Sequence, residues 1–356
     1  MHENPNPSIR DKSGNEASLI AKIRQWCEPT RTPSLDLGIG DDAASLYTSG
    51  RPVFFCSDLT IEGTHFNPSF STPEDVGHKS LARVLSDIAA MSGQPVSVTI
   101  SIAIPRDWSH ERTESFLEGY YRGAVALAKA TQTSICGGDL SRTTGPVVID
   151  VAAIGEPRPS AASWRRAGAR PGDIAVITGS LGEAALALRE LSAGQGAKLS
   201  SETKLRHLRP QPRFDIAKAL ASYPVNAAID ISDGLVLDAS RLCAESSVTL
   251  TIDENQLPIP SSFRSMKRYD ARQLALYGGD DYELLMAIPL SWWLAESTQG
   301  FLSQLGLIQI GIFEADTRSN ERLAADSYAR VYMRDNAQNP SSPGLHPLLP
   351  IGHDPF

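Results

Sequence analysis

Six short segments place aspartate beside glycine, serine or another aspartate: Gly38–Ala44 (GIGDDAA), Cys56–Asp58 (CSD), Leu85–Asp87 (LSD), Gly137–Asp139 (GGD), Ile229–Gly234 (IDISDG) and Gly278–Asp281 (GGDD). Most of them end an apolar run. Carboxylates gathered in a folded interior repel one another, so their convergence calls for cations. Hard divalent ions take carboxylate oxygens and are the usual counter-charge of a polyphosphate. The pattern points to phosphate chemistry with magnesium.

Each segment also has a plainer reading. Gly38–Ala43 fits a dinucleotide-binding glycine pattern, with Asp58 near the distance for a ribose contact. That pattern needs a helix directly after the glycines to meet the pyrophosphate, whereas SLYTSGRP follows here, with Gly50 and Pro52 as breakers. A polar turn and a metal site fit this segment equally well. Asp87 lies on an otherwise apolar helical stretch, where a carboxylate is costly unless paired, metal-bound or turned to solvent. Gly137, Gly138 and Asp139 follow the short strand expected at 133–136. They form either an exit turn or a close approach to phosphate, with Arg142 in reach. Asp230, Ser232 and Asp233 end an apolar strand, where α/β ligands usually bind. Ser232 or Asp233 could cap the next helix, but a cap does not explain Asp230. Gly278–Glu283 brings three acids before a strand. His65 and His78 are the histidines near these motifs. There is no GxxxxGK[ST] loop, GxSxG elbow, HExxH or kinase motif set.

The elements that must position these groups follow from periodicity. Helices are expected at 16–27, 73–92 and 110–130, and strands at 52–56, 95–104 and 146–154. Val96, Val98, Ile100, Ile102 and Ile104 alternate with Ser97, Thr99 and Ser101, so one face of that strand is buried. The polar face is left for a sheet or oligomer contact. After a break at 155–169, residues 172–188 and 227–246 each read as strand, turn and helix. Strands are expected at 282–288 and 307–313 around a helix near 291–305. The expected organisation is a loose tail (1–16), an N-terminal ATP and metal-binding domain (17–155), a C-terminal α/β domain (156–316) and an extended polar, proline-rich segment (317–356).

Composition narrows the partners. The 356 residues suit two domains, and 41% are hydrophobic, as in a soluble protein. A net charge of −8 argues against sequence-independent nucleic-acid binding. No apolar run is long enough for a membrane helix, and the first residues lack a signal peptide's apolar core. Cys27, Cys56, Cys136 and Cys243 are widely spaced with no CxxC pair, which suits buried thiols of a cytoplasmic protein.

Taken in order, LGIGDDAA, SDLTIEGTHF, HKSLARVLSDIAAMSGQP, GGDLSRTTGP, RAGARPGD with VITGSLGEAALAL, AIDISDGLVLDASRL and GGDDYELLMAIP resemble the thiamine-monophosphate kinase family, of the aminoimidazole ribonucleotide synthetase-like superfamily. The resemblance runs from about Ala17 to Glu314. It implies an N-terminal α+β domain that dimerises through its sheet, a C-terminal α/β domain, and transfer of the γ-phosphoryl of ATP to thiamine monophosphate. It implies Mg²⁺ held by Asp42, Asp58, Asp87, Asp139, Asp230 and Asp233, with Ser57 as a hydroxyl ligand. It further implies nucleotide contacts at Gly138, Asp139, Arg166 and Ser232, and acceptor contacts at His65, Asp280 and His353. Asp87, Asp233 and Arg166 would be the groups turnover most depends on. Asp280 stands where the family usually has Glu, His353 where it has an aromatic residue, Cys56 where a hydroxyl residue is frequent, and His78-Lys79 where Trp-Lys is usual. A relative with another acceptor, or a nucleotide-binding homologue without turnover, are the alternatives.

Overall fold

The structure is a computed structural model that describes residues 24–26, 29, 32–48, 50–159, 162–264, 266–295, 300–302, 304–317, 330–335 and 344–350. Two sheets organise it. The first contains β1 (Leu35–Leu37), β2 (Ala44–Thr48), β3 (Arg51–Ile61), β4 (Gly93–Pro105), β5 (Ser134–Thr143) and β6 (Val148–Pro157) in the order β1-β2-β3-β6-β4-β5. Helices α1 (Pro73–Ala90) and α2 (His110–Ala130) cover one of its faces. The first turn of α1 has Pro73 at its start, as the sequence leads one to expect, and adds a reciprocal cap between Thr72 and Asp75. Leu81, Leu85 and Ile88 of α1 pack on Val98, Ile100, Ile102, Ile149 and Val151. The helices cross so closely that a Cβ on Gly77 would lie 1.9 Å from the Tyr120 carbonyl oxygen.

The second sheet contains β7 (Asp173–Thr178), β8 (Ala227–Ile231), β9 (Val248–Asp253), β10 (Glu283–Pro289), β11 (Leu307–Ala315), β12 (Val331–Asp335) and β13 (Gly344–Leu348). Their order is β13-β12-β9-β11-β7-β10-β8. Around them run α3 (Glu183–Ser192), α4 (Ser201–Leu208), α5 (Phe214–Ala219), α6 (Leu235–Ser246), α7 (Arg268–Tyr277) and the short α8 (Leu290–Trp293). The strand-turn-helix units at 172–188 and 227–246 are present. The sheet they feed is mostly antiparallel, with β9 and β12 its parallel pair. The two halves share a seam: Ala90 and Trp164 join the apolar cluster built on β7, β8 and β10.

Four expectations change. Val96 is 41% exposed, because a register shift between Pro95 and Ser97 takes it off the buried row. Gly137–Asp139 is not a turn but the middle of β5, paired in parallel with β4. The extended segment expected from 317 onward contributes β12 and β13, since Val331, Met333 and Leu348 complete the core over α6. The helix expected at 291–305 appears as Leu290–Trp293 and a helical stretch at 300–302, while 296–299 and 303 lie outside the described residues. Of the expected helix 16–27, only Arg24–Trp26 are described, and they are helical.

Candidate active site

Helix α1 is the spine of the site. Lys79, Arg83, Ser86 and Asp87 recur at helical spacing and so share one side. That side meets the carboxyl end of β8 and the 278–282 turn. A cleft of about 320 Å³ opens there, lined by groups that include Asp58, His65, Arg83, Asp87, Asp230, Ser232, Asp233 and Asp280.

In one half of the cleft the carboxylates are short of counter-charge. Oxygens of Asp42, Asp87 and Asp230 all lie within 4.8 Å of one another. Ser86 Oγ donates to Asp230 at 2.7 Å, and Arg166 Nη2 donates to Asp42 at 2.6 Å. Asp42 Oδ2 is buried with no hydrogen-bond partner among the described residues. Burial, then the charges of Asp58, Asp230 and Asp42, push the Asp87 carboxyl well above its usual range. Asp230 is raised likewise, by burial and then Asp42. Asp41 rises to about 6, through burial and the neighbouring Asp42. Acids held from ionisation by burial and by one another in this way form a donor set that suits a cation.

In the other half every charge is answered. Lys79 Nζ donates to Asp280 at 2.8 Å, His207 Nδ1 lies 3.4 Å from the same carboxylate, and the Tyr282 hydroxyl donates to it at 2.9 Å. Burial alone would raise the Asp280 carboxyl, but Lys79, His207 and Arg83 hold it well below the usual range. The His65 ring is fixed as Nδ1 accepts from the Ile61 amide at 3.0 Å, and the His65 carbonyl accepts from Lys79.

The turn after β8 is set by a residue ahead of it in the chain. Gly234, not Ser232 or Asp233, is the N-cap of α6, and it makes no side-chain cap. Asp238 reaches back instead, accepting from the Ser232 and Asp233 amides at 3.0 and 2.9 Å, and Arg241 bridges Asp238 and Asp233. Burial and the Asp233 charge raise the Asp238 carboxyl to about 7. The acids of GGDDYE divide their work. Asp280 faces the cleft, Asp281 accepts from the Gly182 amide at the start of α3, and Glu283 binds Arg206 and Arg213.

The fold therefore gathers Asp42, Asp58, Asp87, Asp230, Asp233, Arg166, Ser232, His65 and Asp280. It does not gather Ser57, Gly138 and Asp139. Strand alternation turns Ser57 to the sheet face opposite Asp58, beside Ala152, Thr99 and Gly137. Asp139 lies exposed on edge strand β5, one step along that same face, beside Ser101 and Asp150. The need for glycine at 138 comes from packing, because a Cβ there would lie 1.8 Å from the Ile100 carbonyl oxygen. Arg142 is used structurally, donating to the Pro105 carbonyl and to Thr113. Cys56 and Cys243 are buried free thiols as expected, whereas Cys136 is exposed. His353 and Cys27 lie outside the described residues. Sequence reading missed Lys79, Arg83, His207, Tyr282, Asp238 and Arg241. The spacing of Lys79, Arg83 and Asp87 on one helix side could have found two of them. His207 had no local signal.

The comparisons cover both halves of the chain. The model of the AIR synthase related protein N-terminal domain matches residues 40–156, and that of the C-terminal domain matches 170–296. The thiamine-monophosphate kinase of Bacillus subtilis is 35% identical over 304 residues, covering 84% of this chain and 91% of that one. A solved complex of AaThiL with AMPPCP and TMP superposes with a TM-score of 0.72 at 29% identity, covering 87% of this chain and 94% of its own. The thiamine-monophosphate kinase of Stenotrophomonas maltophilia gives a TM-score of 0.67 at 33% identity, over 86% and 95%. With both domains matched in order, the chain belongs to the thiamine-monophosphate kinase family of AIR synthase related proteins.

Proposed function

We infer that this chain phosphorylates thiamine monophosphate to thiamine diphosphate at the expense of ATP. The observation that carries this reading is the triad Asp42, Asp87 and Asp230, packed within 4.8 Å at the edge of a cleft. An all-carboxylate set with a buried Asp42 oxygen that has no partner among the described residues fits a hard divalent cation. Mg²⁺ bound by Asp42, Asp87 and Asp230, with Asp58 and Asp233 alongside, would neutralise phosphate charge. Arg166 holds Asp42 and keeps a fixed positive charge beside the triad. In the reaction an oxygen of the acceptor phosphate attacks the γ-phosphorus in line, and the bond to the β-γ bridging oxygen breaks to release ADP. The acceptor phosphate, with a second pKa of about 6, is ionised near neutral pH and needs no general base. The protein's part is to hold two anions in register and exclude water around them.

The same reading includes a homodimer. Phe55, Leu59 and Ile154 expose an apolar stripe around Ser57 on the outward face of the first sheet, and a second copy laid there would cover it. No described helix is long and apolar enough to cross a membrane. A cytoplasmic site of action is supported by the free thiols.

The test is a product assay. Protein with ATP, Mg²⁺ and thiamine monophosphate should yield thiamine diphosphate on chromatography, and EDTA should stop it. ATP-analogue binding without product would overturn the reading in favour of a non-catalytic homologue.

A further inference from the structure

Arg83 projects from α1 between the two halves of the cleft, and its guanidinium is poorly satisfied there. The Nη1 donates to the Tyr282 hydroxyl at 3.1 Å, the one contact of ordinary length. The Nη2 reaches Asp58 at only 3.5 Å, and Nη1 lies 3.9 Å from Asp280. Its Nε is buried with no partner among the described residues. A guanidinium carries five donors in a planar fork, and leaving buried donors unmet is costly. The side chain is 15% exposed, and it lines the cleft. Three other cations around the site are committed: Lys79 to Asp280, Arg166 to Asp42, and Arg241 to Asp233 and Asp238. Burial opposes the charge on Arg83, but Tyr282, Asp58, Asp280 and Asp233 outweigh it, so the group stays cationic.

We propose that Arg83 binds the phosphate of the acceptor, through a forked contact to two of its oxygens, and so selects phosphorylated thiamine over thiamine. The identity of the acceptor rests on the function inferred above. The position fits the role. Arg83 lies one helical turn before Asp87, and its guanidinium spans from Asp58 beside the carboxylate triad to Asp280 in the opposite half. A phosphate between the two halves meets the Arg83 fork, whose geometry matches two oxygens at once. Thiamine without its phosphate leaves the fork unmet.

The experiment compares ligands on one protein. Wild type is first shown to make thiamine diphosphate, so failure of the function reading appears there and not in the variants. Binding of thiamine monophosphate, thiamine and AMPPCP is then measured by calorimetry for wild type, Arg83→Gln, Arg83→Lys and Tyr282→Phe. Arg83→Gln should lose about 30-fold in affinity for thiamine monophosphate, the size of one or two charge-assisted hydrogen bonds. Its affinities for thiamine and AMPPCP should stay within about 3-fold, because neither makes the forked contact. Arg83→Lys should recover part of the loss, keeping the charge without the fork. Tyr282→Phe, which removes the hydroxyl that links Arg83 to Asp280 but leaves the guanidinium, should retain discrimination between the two thiamine species. Equal weakening toward thiamine and its phosphate, or loss of discrimination in Tyr282→Phe alone, would overturn the proposal and leave Arg83 a structural tie. If Arg83→Gln does not fold, Arg83→Lys decides: undiminished discrimination there overturns the forked contact.

Discussion

The two halves of the cleft are made from the same device, an aspartate in a glycine or serine turn or on the helix facing it, yet their electrostatics are opposite. Asp280 is half-buried among Lys79, His207 and Arg83 and is held strongly ionised. Asp87 is half-buried beside Asp58, Asp230 and Asp42, and desolvation followed by those charges pushes it toward its neutral form. Folding alone completes the first environment. On the function proposed above, charge arriving from outside completes the second. The local motif does not set this difference, since a carboxylate at a strand exit is the same object in both places. The partners delivered from distant segments decide it, and they mark which half stores repulsion for substrate and metal to relieve.

The largest expected effect comes from breaking the repelling half. Asp87→Asn keeps the shape and removes one charge. Turnover should fall at least about 1000-fold, the scale seen when one preorganised electrostatic group is lost. Metal-free protein should gain a few degrees in thermal midpoint as repulsion is relieved, roughly 3 °C. Turnover near wild type with magnesium would sink the assignment. In the balanced half the sign reverses. Lys79→Met takes the main cation from the half-buried Asp280 and should cost about 2 kcal/mol in denaturant unfolding, less than breaking a fully buried pair. The double variant Lys79→Met with Asp280→Asn should recover most of that loss, and a double variant as unstable as the single one would show that the pair is not the reason. A smaller effect separates the halves directly. Magnesium added to wild type without substrate should stabilise it by about 1–2 kcal/mol through binding to the folded state. Asp87→Asn should lose most of that gain, and Lys79→Met should keep it. Calorimetric melting with and without magnesium reads all three proteins.

How much of this was legible in the sequence depended on whether the cause was local. The 73–90 helix was readable because Pro73, Glu74 and Asp75 act within one turn, and β4 because its alternation is strict from Val98 to Ile104. Asp230 stood out because a cap could not account for it. The GGD segment misled because two glycines suggest a turn, while here Gly138 answers the close approach of Ile100 across the sheet. β12 and β13 were hidden because their neighbours are proline-rich, and β12 earns its place by pairing with β9, some eighty residues earlier. The charge balance of Asp280 was invisible for the same reason, since Lys79 and His207 reach it from two different helices far away in sequence.

The smallest effect tests whether the balanced half is neutral by design down to its second layer. His78 lies behind Lys79 on α1, buried, with Nε2 donating to the Pro210 carbonyl at 2.9 Å. Around it are Arg209 and Asp75, paired with each other, and the Gln211 amide. Burial, assisted by Arg209, lowers its pKa from the ordinary 6.5, against the opposing pulls of Pro210 and Asp75. A histidine whose folded value is depressed favours the fold while neutral. Its contribution is complete above 6.5 and is lost as pH falls through the depressed folded value, because the unfolded chain takes the proton first. Stability should therefore decline on acidification below neutrality. His78→Gln, which keeps a donor for Pro210 but cannot charge, should flatten that decline by roughly 3 °C in thermal midpoint between the ends of the titration. Melting curves across the range decide it. If the variant followed the wild-type slope, the acid sensitivity would belong to other groups, and the neutrality of this half would stop at Asp280 and its direct partners.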